Sequence, residues 1–139
     1  MQVHLAESDS AITRCAPVMR QLRPHIHENG FVARVRVQQA GGYLLAYLED
    51  AGQVVAVTGF RILENLYSGR VLYVDDLVTD DAARSRGHGT HLLDWLVARA
   101  REEGCQTLEL DSGVQRFAAH RFYLTNRMDI VGHHFRLML

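Results

Sequence analysis

The sequence predicts a mixed α/β fold, and three observations lead to it. Runs with alternating or continuous apolar character take turns along the chain with runs whose apolar residues recur at helical spacing. Glycine-containing turns fall between them. The 139 residues, 47% of them hydrophobic, suffice for a core that needs neither a metal nor a disulfide framework. No repeat, low-complexity tract or Pro/Ser-rich linker interrupts the pattern, so a single domain over residues 1–139 is expected.

Gln2 to Ala6 reads as a short first strand. Ser8-Asp9-Ser10 then offers a helix cap ahead of Ile12, Cys15, Ala16, Met19 and Leu22, which share a helical face, and Pro24 closes or kinks that helix. From His25 to Gln39 the pattern is two-sided. Val35-Arg36-Val37 alternates like a strand, whereas Ile26, Phe31, Val32 and Val35 share part of a helical face, and helix is the preferred reading. After Gly41-Gly42 come two strands, Tyr43 to Leu48 and Val54 to Arg61, joined by Glu49-Asp50-Ala51-Gly52 as a hairpin loop. A loop around Glu64 to Gly69 leads to a strand from Arg70 to Thr79, whose Val71-Leu72-Tyr73-Val74 opening marks a central strand buried on both faces.

From Gly87 to Arg101 the residues Leu92, Leu93, Leu96, Val97 and Ala100 line one helical face, and Gly104 stands where a helix-ending glycine belongs. A short strand, Thr107 to Leu110, precedes Asp111-Ser112-Gly113. A helix from Gln115 to Thr125 and a last strand from Asp129 to about Arg136 complete the order.

Composition excludes several functions. Lys and Arg number 15 against 16 Asp and Glu, for a formal charge of -1, and no excess of positive charge marks a nucleic-acid footprint. Cys15 and Cys105 have no CxxC spacing and are expected to be reduced thiols, with no catalytic part for Cys105. His25-x-His27 and His133-His134 lack a cysteine or carboxylate partner in a ligand pattern, so no metal is expected. The first residues lack a basic start and an apolar stretch, and no apolar run nears the roughly 20 residues of a membrane span. A soluble, cytoplasmic protein is the expectation.

The chemistry is concentrated between Asp75 and Thr90, where a buried strand feeds a turn with two glycines that opens a long helix. The first helical N–H groups have no partner inside the helix, the dipole adds about half a positive charge, and glycine lets a ligand approach the backbone. Arg84 and Arg86 add forked donors suited to phosphate oxygens. This outlines a pyrophosphate site. The competing nucleotide motifs, GxxxxGK[ST] and GxGxxG with its acidic partner, are absent.

Arg84-Ser85-Arg86-Gly87-His88-Gly89 resembles the R/Q-x-x-G-x-G/A signature of the GCN5-related N-acetyltransferase (GNAT) superfamily, with the required strand before it and helix after it. Ala118-Ala119-His120-Arg121-Phe122-Tyr123 is similar to the family's later segment, in which a helix ends near a tyrosine beside the cofactor thiol. The resemblance implies a GNAT-type, mostly antiparallel sheet splayed between its fourth and fifth strands and flanked by helices. It implies acetyl-CoA as co-substrate, with backbone groups of Leu77, Val78 and Thr79 on the pantetheine arm and acetyl carbonyl. The pyrophosphate is then held at Arg84, Ser85, Arg86, Gly87, His88, Gly89 and Thr90. A homodimer fits family habit.

The implied reaction is direct attack of a neutral amine, of a small molecule or a protein, on the acetyl thioester. It needs a base, an oxyanion donor and an acid for the leaving thiolate. The resemblance assigns the acid to Tyr123 and the oxyanion donor to a backbone N–H near Val78. For the base, Asp75 and Asp76 both qualify. Strand alternation sends them to opposite faces, Asp76 with Val74 and Val78, Asp75 with Tyr73 and Leu77. Glu64 and His133-His134 are further candidates. The chain departs from the family at Asn126-Arg127-Met128, where a glycine is common, and at Arg116, where an asparagine is frequent. A non-catalytic acyl-CoA-sensing domain and a purely structural partner-binding domain are the rival readings of the same scaffold.

Overall fold

The computed structural model describes every residue from Met1 to Leu139, and the chain divides into two compact units, Met1–Glu109 and Leu110–Leu139. The first unit opens with β1 (Gln2–Leu5) and α1 (Asp9–Leu22), whose N-cap Ser8 accepts from the Ala11 N–H at 3.1 Å. The helix stops before Pro24, with Arg23 as its C-cap. A one-turn 3-10 helix, Glu28–Gly30, leads into α2 (Phe31–Ala40), so the two-sided stretch resolves as helix, with Phe31 and Val35 buried.

Strands β2 (Leu44–Asp50), β3 (Gln53–Asn65) and β4 (Gly69–Thr79) follow as a continuous antiparallel meander, and β1 pairs antiparallel with β2. Both hairpins are tighter than expected. Asp50 pairs with Gln53, so the first turn is Ala51-Gly52 alone, with φ of 50° and 76°; two left-handed central residues match the twist of the flanking strands. Asn65 pairs with Gly69, so Glu64 stands on a strand opposite Arg70 rather than in a loop. The apolar pattern fades at both ends while the backbone ladder continues.

Helix α3 (His88–Glu102) connects β4 to β5 (Thr107–Leu110), and the sheet order is β1-β2-β3-β4-β5. Gly104, at φ 71°, ends α3 as the sequence predicts. Two cores flank the sheet. On one face Ile12, Cys15, Ala16 and Met19 of α1 and Phe31 and Val35 of α2 pack on Tyr43, Leu45, Tyr47, Val57 and Val78. On the other, Leu92 of α3 packs on Leu48 and Ala56, with Leu77 and Trp95 alongside.

Cys15 lies in the first core with no exposed surface, and burial pushes its thiol up to about 12, opposed by nearby Arg14. Cys105 is partly exposed. Titration of the native protein with an aromatic disulfide is expected to release one equivalent promptly and the second only in denaturant. Two prompt equivalents would place Cys15 outside the core.

The second unit contains α4 (Phe117–Thr125), two residues shorter at its start than expected. The strand expected from Asp129 to Arg136 does not form: residues 128–139 carry no regular secondary structure. Ile130, Val131 and Phe135 supply apolar character but are 72%, 77% and 91% exposed, and without a neighbouring strand their N–H and C=O groups have no ladder to join.

Candidate active site

Strand β4 carries one residue more than its partner can match. Gly59 pairs with Asp76 and Phe60 with Val74, which leaves Asp75 as a β-bulge. The bulge corrects the strict alternation expected of this strand. Tyr73, Asp75 and Asp76 all line one cleft on the α1/α2 face, and Val78 enters the core on that same face, whereas Leu77 packs on the α3 side. Both carboxylates therefore look into one site.

The cleft has a volume of about 330 Å³, at the small end of the range for small-molecule sites. Met19, Ile26, Phe31 and Val35 form its apolar part. Asp76 is bound on both oxygens, by Arg23 Nε at 2.9 Å and by the Tyr43 hydroxyl at 2.8 Å. The Asp75 carboxylate accepts from Arg61 Nε, at 3.2 and 2.9 Å, its backbone carbonyl accepts from Arg23 Nη2 at 3.0 Å, and Arg61 continues to Gln38 Oε1 at 3.2 Å. Burial raises the Asp75 carboxyl above its ordinary range, with the Arg61 guanidinium pulling the other way. Burial likewise raises the Tyr43 phenol, with the Asp76 carboxylate adding to it. The Arg61 guanidinium also lies 5.3 Å from the centre of the Tyr43 ring.

Tyr43 holds this position because Gly59 has no side chain. A Cβ there would overlap the tyrosine hydroxyl, Cζ and Cε2. Sequence reasoning missed Tyr43, Arg23 and Arg61 because each meets its carboxylate through pairing distant in the chain. The one local sign was Arg61 standing between the apolar residues Phe60 and Ile62.

Beyond the bulge, the Asp80 N–H donates to the Val55 carbonyl at 2.9 Å. The alternation of antiparallel pairing then makes Val78 and Val57 a hydrogen-bonded pair, and it turns the backbone groups of Leu77 and Thr79 away from β3. Val78 thus commits its own N–H and C=O to the ladder. On the far side, the Gln106 N–H donates to the Arg70 carbonyl at 2.8 Å, which sets β5 beside the start of β4. Residues 107–109 advance only about 10 Å, whereas Leu77 stands about 23 Å along β4 from Arg70. The edge at Leu77–Thr79 lies well beyond them, which is the basis of the expected splay.

The chain then turns into α3. Asp80 caps a short 3-10 turn, Asp81–Ala83, and Gln21 of α1 clamps it, donating to Asp80 Oδ1 at 3.0 Å and accepting from the Asp81 N–H at 2.9 Å. Ser85 at φ 65° and Gly87 at φ 80° bend the chain, and Gly87 is the N-cap of α3. The first bond closed onto the cap is from the His91 N–H to the Gly87 carbonyl at 3.0 Å, so the N–H groups of His88, Gly89 and Thr90 have no partner inside the helix. Arg84, Ser85, Arg86, Gly87 and Thr90 are exposed, and Arg84 makes an exposed ion pair with Asp81 at 2.7 Å. His88 differs: its ring is buried, with Nδ1 3.2 Å from Met1 Sδ, so only its backbone faces the turn.

Of the other candidates, Glu64 is exposed opposite Arg70, and His25 is exposed at the cleft. In the second unit, His134 Nδ1 lies 3.5 Å from Asp111 Oδ2. Tyr123 on α4 is half-buried, its ring 5.5 Å from that of Phe122 in an edge-on arrangement. Burial raises its phenol above the ordinary tyrosine value, and the Arg116 guanidinium opposes the rise through charge and a hydrogen bond.

Residues 10–126 match the family model described as the Acetyltransferase (GNAT) family. The chain is 34% identical over 113 residues to an uncharacterized N-acetyltransferase of Bacillus subtilis, covering 81% of this chain and 79% of that protein. It is 29% identical over 127 residues to a probable glucosamine 6-phosphate N-acetyltransferase of Oryza sativa, covering 73% and 76%. Its fold is similar to that of an aminoglycoside N-acetyltransferase solved in complex with CoA, with a TM-score of 0.85 at 12% identity over 99% of this chain and 95% of the other.

Proposed function

Since the chain belongs to the acetyltransferase (GNAT) family and is an N-acetyltransferase, we propose that it transfers the acetyl group of acetyl-CoA to the primary amine of a small molecule by direct attack, with residues 1–139 acting as one domain. The observation that carries the reading is the continuity of three features along β4: a bulge with two cleft-facing carboxylates, a strand edge turned away from β3, and a helix start whose first N–H groups have no partner inside the helix. That turn fits a pyrophosphate, since it offers donors and exposed arginines without a side chain at Gly87 to block approach. The rice relative's named substrate, glucosamine 6-phosphate, is a small amine, which supports the same acceptor class.

In this reading the backbone of Arg86, Gly87, His88, Gly89 and Thr90 holds the pyrophosphate, and Arg84 and Ser85 flank it. The outward groups of Leu77 and Thr79 hold the pantetheine amides. The Leu77 N–H, not that of Val78, donates to the acetyl carbonyl oxygen as charge develops there, because Val78 is committed to its partner strand. Asp75 receives the amine proton, directly or through water: its raised carboxyl is better matched to proton transfer near neutrality than an ordinary aspartate. Asp76, with both oxygens occupied, positions Arg23 and Tyr43 at the cleft.

Tyr123 protonates the leaving thiolate, an assignment that rests on its match to the family segment. Its raised phenol keeps the proton through the neutral range, as an acid must. Calorimetry is expected to show saturable binding of acetyl-CoA and CoA, and Tyr123→Phe to lower kcat about 100-fold while leaving the acetyl-CoA Kd within about twofold. Unchanged turnover in that variant removes Tyr123 from the role. Absence of acetyl-CoA binding by the wild type removes the transferase reading itself.

A further inference from the structure

The charges around the cleft do not balance. Arg23 is matched by Asp76 and Arg61 by Asp75, each pair at 2.9 Å, so both carboxylates at the cleft have a guanidinium of their own. Arg34 lines the same cleft from α2 and has no carboxylate, carbonyl or amide bonded to it. Its helix supplies no counter-charge: Phe31–Ala40 contains Arg34 and Arg36 and no acid, and Arg36 is turned away to Asp9 at 2.8 Å. His25 lines the cleft too, with its ring nitrogens unbonded. One wall of a small cleft thus presents forked guanidinium donors and an imidazole. The opposite wall presents Asp75 and Tyr73 on the bulged strand.

We propose that the acceptor is a small primary amine that also carries an anionic oxygen group, a carboxylate or a phosphate, with Arg34 and His25 binding the anion and the amine directed to Asp75. This deepens the acetyltransferase reading and rests on it. A guanidinium suits such an anion because its planar donors engage two oxygens at once. Between the two polar ends, Ile26, Phe31 and Val35 suit a short carbon spacer. A neutral or dicationic amine leaves Arg34 without a partner, and a second ammonium meets it as a like charge. The contact with the anion is present before and during transfer alike, so it acts on KM and not on kcat.

The test compares phosphoethanolamine, β-alanine, ethanolamine and diaminopropane as acceptors for wild type, Arg34→Ala and Arg34→Lys, with binding of each amine to the CoA-loaded protein measured by calorimetry. At least one of the two anionic amines is expected to exceed ethanolamine in kcat/KM by about tenfold or more, and which one does so distinguishes phosphate from carboxylate. Arg34→Ala is expected to raise its KM about tenfold with kcat within about twofold and no change for ethanolamine; Arg34→Lys recovers part of the loss. Equal or better use of ethanolamine or diaminopropane by the wild type overturns the inference, as does a uniform effect of Arg34→Ala on every acceptor. CoA binding with neither binding nor turnover of either anionic amine overturns this inference alone, whereas no CoA binding overturns the acetyltransferase reading with it.

Discussion

Gly87→Glu is expected to weaken acetyl-CoA binding at least 100-fold in calorimetric titration, corresponding to about 3 kcal/mol. Two effects combine. Gly87 sits at φ 80°, where a residue with a Cβ costs roughly 1–2 kcal/mol, so the turn pulls away from its working shape. The new carboxylate also stands at a helix start whose unpartnered N–H groups are proposed to hold the pyrophosphate, repelling that ligand and competing for the same donors. Crowding within the protein does not enter, because no protein atom lies within 4 Å of where the Cβ would be. Gly87→Ala, which carries the strain without the charge, separates the two: it is expected to lose only about tenfold. Equal losses in both variants would make the effect conformational, and retained affinity in Gly87→Glu would move the pyrophosphate elsewhere.

Gly59→Ala is expected to cost about 3 kcal/mol of stability, lowering Tm by on the order of 10 °C, a large effect for one methyl group. The methyl cannot be placed without moving Tyr43, whose ring fills the space over this strand position. Moving Tyr43 breaks its bond to Asp76 and withdraws the ring from the Arg61 guanidinium, so a part-buried carboxylate oxygen loses its partner as well. Thermal unfolding followed by circular dichroism measures the loss. The double variant Gly59→Ala/Tyr43→Ala makes room for the methyl, and it is expected to lose less than the two single changes added together. Simple additivity would show that the overlap with Tyr43 is not the cause.

Much of this fold was legible because its signals are local. Leu92, Leu93 and Leu96 on one face, with Gly104 behind them, define α3 without reference to the rest of the chain, and the glycines at 87 and 89 mark its start. Interactions between distant segments were not legible. The extensions of β3 to Asn65 and of β4 to Gly69 depend on backbone pairing, which side-chain patterns do not record. The strand expected after Asp129 had a sufficient apolar pattern and lacked a partner. Asp75 and Asp76 were identifiable as candidates from their place before the glycine turn. Their convergence on one cleft followed from a bulge that no residue type announces, and their arginines come from positions 14 and 53 residues away.

The extra residue at Asp75 acts on β4 as a frameshift acts on a code. Upstream of it, odd positions such as Tyr73 look towards the helical pair α1 and α2; downstream, even positions such as Val78 do. The two ends of the strand are thereby read in different phases, and a substitution table drawn up for one end gives the wrong face at the other. A relative aligned to this chain with that residue deleted regains a single phase along the strand, and since Leu77 still meets Thr58 and Val78 still meets Val57, each letter after the gap keeps the core to which it answers here.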